Sequence, residues 1–199
     1  MTAVLDVLVA DRAQWRAWLC SQSGTAEEIW LVIPHARHRT PENSGISHRE
    51  AIEEALCVGW IDSHARRYDE YSMIQRFGPR GPRSTWSKVN REIVERLETD
   101  GLMTPAGRAV VDLARRTGTW SVLAEAQDGV VPDDLREHLA GDAASFDALS
   151  PSARRTILEW IARAKRPETR RRRIARVAEC GALCTTPPEL NLRTRVARP

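Results

Sequence analysis

Trp60-Ile61-Asp62-Ser63-His64 places a carboxylate and an imidazole two residues apart, in a run that opens on aromatic and β-branched side chains. In an extended strand, alternate residues face the same side. Asp62 and His64 would then share a face and form an acid–base pair. Downstream, Arg76, Arg80 and Arg83 surround the corners Gly78-Pro79 and Gly81-Pro82, followed by Ser84, Thr85 and Ser87. Guanidinium forks match the oxygens of carboxylate, phosphate or sulfate. A helix beginning at Ser84 or Thr85 would add unpaired N–H groups aimed at the same anion. Trp60, Trp86 and Tyr71 either wall such a pocket or belong to the core. Asp62 itself has two readings. One is an ion pair with Arg66, Arg76, Arg80 or Arg83 that fixes the hairpin; the other is a general base or ligand group at the mouth of a pocket.

These residues need elements to position them. Asp11 with Gln14, and Ser47 with Glu50, are capping-box pairs, each opening a helix with apolar residues at helical spacing: Trp15, Trp18 and Leu19 in the first, Ile52, Ala55 and Leu56 in the second. Ile29-Trp30-Leu31-Val32-Ile33, closed by Pro34, predicts a buried strand; the polar stretch 35–45 predicts a loop. Residues 60–67 and 72–77 read as an antiparallel hairpin. If Arg67 pairs with Ser72, then Trp60, Asp62, His64 and Arg66 share a face with Gln75 and Phe77, leaving Ile61, Ala65 and Ile74 on the other.

Further on, a helix with Trp86, Val89, Ile93 and Leu97 on its apolar side is closed by Gly101. Thr104-Pro105 is a cap with proline at the first helical position, and Gly118 ends that helix. Residues 120–131 read as a linker, and Pro132 opens a short helix. Ser150-Pro151 opens another, which Arg166-Pro167 breaks before a last one. The expected fold is α+β: mostly helical, with a small antiparallel sheet and a C-terminal helical part. The divisions are 1–125 for a core with the central hairpin, 130–184 for the helical part, and 185–199 for a flexible tail.

Composition bounds the function. The 199 residues carry 30 Lys+Arg against 27 Asp+Glu, a formal charge of +3, too small an excess to signal nucleic acid by itself. Lys88 and Lys165 are the only lysines. No apolar run is long enough for a membrane span, and the N-terminal stretch, with Asp6 and no basic segment, does not read as a signal peptide. Scattered Cys20, Cys57, Cys180 and Cys184 fit reduced thiols in a cytoplasm. Cys180-x3-Cys184 lacks a second pair for zinc, and His35, His38, His48 and His64 match no metal-ligand spacing. The sequence contains no phosphate-binding glycine loop, dinucleotide fingerprint or nucleophile elbow. Arg170-Arg171-Arg172-Arg173 with Arg176 forms a basic helix, either a phosphate grip or a solvated face.

The segments "EALCVGWIDSHARRYDEYSMIQRFGPRGPRSTWSKVN", "GLMTPAG", "TGTW" and "AKRPETRRRRI" resemble the YdeI/OmpD-associated family, labelled bacteriocin-protection proteins. The resemblance runs from about Trp15 to Ala182. It implies a small α+β core with a C-terminal helical part in a bacterial cytoplasm, and little chemistry. The family's polar signature falls on Asp62, Arg76, Arg80, Ser84, Trp86, Ser87 and Asn90. Ser63 stands where a glycine is usual, Gly78 where a threonine is common, and Pro34-His35-Ala36-Arg37 where lysines are expected.

The resulting expectation is an anionic small molecule bound by Arg76, Arg80, Arg83, Ser84, Ser87 and Asn90 between walls of Trp60 and Trp86. Asp62 and His64 would manage a proton for elimination or ring closure in metabolite biosynthesis or resistance, a lyase- or cyclase-type activity needing no cofactor and no metal. Two alternatives stay open: a non-catalytic protein that sequesters a toxic metabolite, and a nucleic-acid or partner-binding module using the basic helix, with a homodimer or partner subunit conceivable.

Overall fold

A computed structural model of the chain describes residues 7–39, 45–139, 143–183 and 185–192. Cys184 and the last part of the expected tail lie outside them, as does part of the loop after the first predicted strand. The chain divides into two compact units, one of Met1–Ser84 with Val89–Thr119, the other of Thr85–Lys88 with Trp120–Pro199. The division thus falls at Thr119, before the 125–130 stretch expected to mark it, and a short segment ahead of Val89 belongs to the second unit.

The first unit is built on a four-stranded sheet among the described residues, ordered β1 (Val7–Val9), β2 (Ile29–Pro34), β4 (Ser72–Pro79), β3 (Trp60–Arg67). β4 is antiparallel to both its neighbours, but β1 runs parallel to β2. The sheet is therefore mixed, not purely antiparallel. A three-residue strand carries no legible periodicity, and its direction follows from α1 (Arg12–Gln22) crossing between β1 and β2.

Both capping boxes form: Asp11 and Gln14 exchange bonds at the start of α1, and Ser47 and Glu50 do so at the start of α2 (His48–Cys57). Ile29, Leu31 and Ile33 of β2 join Trp15 and Leu19 of α1, Ala51 and Ala55 of α2, Trp60 and Phe77 in one apolar core. Trp15 donates its indole N–H to the Ala51 carbonyl at 3.1 Å, which satisfies the buried polar atom and pins α1 to α2. Gly59, at φ +81°, turns the chain from α2 into β3, where a Cβ would lie 2.8 Å from Val110. Val110 sits on α4 (Pro105–Thr117), which opens on Thr104 and closes on the left-handed Gly118.

The helix expected to be capped by Ser84 or Thr85 begins later, as α3 (Lys88–Thr99). The Ser84 N–H instead donates to Gly81 in a turn, and that corner holds the chain out of helix until Lys88.

In the second unit Trp86 packs on Trp120 with ring centroids 5.0 Å apart. The stretch expected as a linker contains α5 (Ala124–Gln127). It is followed by α6 (Asp133–His138), α7 (Ala143–Asp147), α8 (Pro151–Ala162) and α9 (Pro167–Ala182). Leu135, Phe146, Ile157, Leu158, Ile174 and Val177 form their common core. Beyond α9, Thr185 donates to the Cys180 carbonyl, Pro188–Leu190 forms a 3-10 turn, and Leu190 and Leu192 pack on that core. The first part of the expected flexible tail is thus an ordered strap, because its two leucines find an apolar surface.

Candidate functional site: a carboxylate beside His48

The hairpin pairs Trp60 with Pro79, Ile61 with Gly78 and Asp62 with Phe77, then Ala65 with Gln75, Arg66 with Ile74 and Arg67 with Met73. Ser63 and His64 together stand opposite the single Arg76, a β-bulge. The register expected from Arg67 pairing with Ser72 holds from Trp60 to Asp62 and slips by one beyond the bulge. One extra residue flips every later side chain to the other face. Asp62 lies on the face of Trp60 and Phe77, under the helices. Arg66 lies opposite, on the face of Ile74, with its guanidinium 4.1 Å above the ring of Trp30. Asp62 and Arg66 are therefore parted by the sheet, contrary to the shared face expected, and Ala65 joins Gln75, not Ile74.

The hairpin turn also has a chemical cause. Asp69 accepts from the N–H groups of Tyr71 and Ser72 and from the Ser72 hydroxyl at 2.7–2.8 Å. The Ser72 hydroxyl bond, chief among these, holds its carboxyl below the usual range. Asp69 closes the turn by side-chain acceptance, which compensates for a connection with none of the usual glycine pairs.

The partner of Asp62 is His48, on the first turn of α2. His48 Nε2 lies 4.0 Å from Asp62 Oδ2, with both side chains partly exposed. His64 is exposed within the bulge. Arg80 follows β4, with its backbone N–H held by the Gly59 carbonyl at 3.0 Å, and is only 7% exposed. Burial pushes the Arg80 guanidinium down to about 10, and the Asp62 carboxylate acts against that shift. Asp62 is thus the counter-charge of a buried cation and a near neighbour of a solvent-accessible imidazole.

The expected arginine clamp does not assemble. Arg76 sits on the opposite sheet face from Asp62, bonded to the Ser63 hydroxyl at 2.9 Å and to Glu28 at 3.1 Å. Arg83 is exposed on the corner after β4. Ser84 is half-buried in its turn, and Asn90 lies on the first turn of α3. Trp60 is a core residue, its indole N–H donating to the Ser23 carbonyl and its ring edge-on to Trp18. Trp86 is buried in the second unit, to which Ser87 also belongs. Sequence alternation brought Asp62 to the correct face. His48 reads from its spacing only as a candidate metal ligand, yet its place beside the Ser47 cap is legible. What was not legible was that α2 lays its first turn beside β3.

The same helix carries a denser charge cluster. Glu54, 2% exposed at its side chain, accepts from Arg12 at 2.7 Å and from Arg16 at 2.6 Å. Glu53 accepts from Arg12 at 3.2 Å, from Arg49 at 3.1 Å and from Arg96. Burial alone would raise the Glu53 carboxyl, but the bonds from Arg49 and Arg96 and the charge of Arg12 outweigh it and lower it. Carboxylates so compensated bind helices together. At the hairpin end, a separate cavity of about 630 Å³ is lined by His35, Arg37, Ala65, Arg67 and Met73 among others.

Residues 7–110 match the model of a family described as a domain of unknown function, DUF8412. The chain belongs to that family. Residues 128–182 match the model described as Bacteriocin-protection, YdeI or OmpD-Associated. The YdeI/OmpD kinship is therefore carried by the α6–α9 part, while the Trp-Ile-Asp hairpin and the arginine corner fall in the other family. No curated protein and no solved structure matches the chain. Among the described residues, no helix is long and apolar enough to cross a membrane.

Proposed function

We propose that the first unit binds a small anionic molecule beside Asp62 and handles a proton there through His48. The observation that carries this reading is the Asp62 carboxylate lying 4.0 Å from an accessible imidazole while countering a buried guanidinium. The proton passes to His48, and the Asp62 carboxylate orients the imidazole. Arg80 lends positive potential to the same spot, where an anionic ligand, or charge developing on it, gains stabilisation in a partly dry setting. Elimination or ring closure on a carboxylate, phosphate or sulfate suits these parts, which include no nucleophile.

Calorimetric titration of the whole protein with phosphate, sulfate and citrate tests the reading. Wild type is expected to bind one of them saturably beside Asp62, His48→Gln to weaken that binding at least about tenfold, and Asp62→Asn, which removes a like charge, to strengthen it. Unchanged behaviour in both folded variants overturns the assignment.

The match of residues 128–182 to a bacteriocin-protection family supports a second reading, in which the anion is sequestered without reaction. Mass analysis separates the two, since sequestration returns the bound compound unchanged after incubation.

A further inference from the structure

The arginine run of α9 divides into two classes. Arg170 makes a two-pronged bond to Asp134 at 2.6 and 2.8 Å. Arg171 faces Glu168 at 3.7 Å, and Arg176 reaches both Glu179 and Glu189. Arg172 and Arg173 face no carboxylate among the described residues. Arg173 is fixed differently: it donates to the Trp160 carbonyl and lies over the Trp160 ring at 4.9 Å. Burial and the adjacent charge of Arg172 both lower its guanidinium from the ordinary arginine value. Two like charges close enough to disfavour one another are relieved by an anion.

They also face a shared space. A groove of about 420 Å³ is lined by Trp160 of α8, by Arg172, Arg173, Arg176 and Glu179 of α9, and by Glu189 of the following turn. Arg172, Arg176 and Glu179 recur at helical spacing, so they lie along one stripe of α9. Glu179 and Glu189 are both engaged by Arg176, which leaves the Arg172–Arg173 end as the positive end of the groove. Its volume is that of a small-molecule site. The Trp160 indole, which also lines the groove, supplies an apolar wall.

We propose that this groove is a second anion-binding site, for a small organic acid or phosphate monoester carrying an apolar or aromatic body, with Arg172 and Arg173 on the anionic group and Trp160 against the body. It lies wholly within the second unit and stands whether or not Asp62 and His48 move a proton.

The test is calorimetric titration of the full-length protein with phenyl phosphate, benzoate and inorganic phosphate. Phenyl phosphate or benzoate should saturate one site more tightly than inorganic phosphate does, and the better of the two identifies the anionic group. Arg172→Gln, at an exposed position, should weaken that binding at least about tenfold, the worth of a charge-assisted bond. Arg171→Gln, also exposed but paired to Glu168, should leave it unchanged. Equal losses in Arg171→Gln and Arg172→Gln would mean a net-charge effect and overturn the site. So would the absence of saturable binding, or tighter binding of duplex DNA with a steep salt dependence.

Discussion

The Asp62 carboxylate pairs with the imidazole of His48, 4.0 Å away on another element, and not with His64, two residues along its own strand. The bulge at Ser63–His64 and the capped start of α2 together produce this exchange of partners. A thermodynamic cycle on Asp62→Asn and His48→Gln, followed by urea unfolding, should give a coupling of about 0.5 kcal/mol. The corresponding Asp62–His64 cycle should return zero.

Acid should loosen the α1–α2 pairing. Glu53 is held below its ordinary value of 4.5, and so is Glu50, chiefly by the Ser47 hydroxyl bond and its backbone N–H. A carboxylate with a depressed folded value takes up its proton first in the unfolded chain. Its stabilisation is complete above about pH 4.5 and is lost as pH falls through the lower folded value. Urea midpoints measured from pH 7 to pH 3 should decline below that point, and Glu53→Gln should make the decline shallower.

Thiol chemistry should separate Cys20 from Cys57. Cys20 is exposed and Cys57 buried, and burial, with the Glu54 charge, pushes the Cys57 thiol up to about 11. Iodoacetamide should modify Cys20 in native protein within minutes and Cys57 only on unfolding, as read by peptide mass. The folded chain also keeps the Cys57 proton after the unfolded chain has released it. Stability should therefore fall as pH rises from about 9 toward 11, and Cys57→Ala should remove that slope.

At Gly107, α4 lies directly against the backbone of α2. A Cβ there would sit 2.2 Å from the Cys57 carbonyl oxygen, a backbone atom that cannot swing aside. Gly107→Ala should cost about 3 kcal/mol or more in urea unfolding. Gly118→Ala, at a left-handed helix end with nothing within 4 Å, should cost only about 1 kcal/mol.

By itself the sequence determined what is local. The capping pairs Asp11–Gln14 and Ser47–Glu50, the Thr104 and Ser150 caps with their prolines, the buried β2 run and the α+β class all follow from neighbours in the chain, because caps and alternation act over a few residues. The short parallel β1, the bulge and the ordered strap after α9 depended on partners that no local pattern encodes. So did the functional geometry. Whether Arg76, Arg80 and Arg83 converge is decided by strand register, and a single unpaired residue sent Arg66 to the opposite face from Asp62. Which arginines of the α9 run are neutralised is decided by where Asp134 and Glu189 come to rest. Charge and hydrogen bonding act through space, so the sequence named the reactive residue types, and tertiary structure alone decided which of them meet.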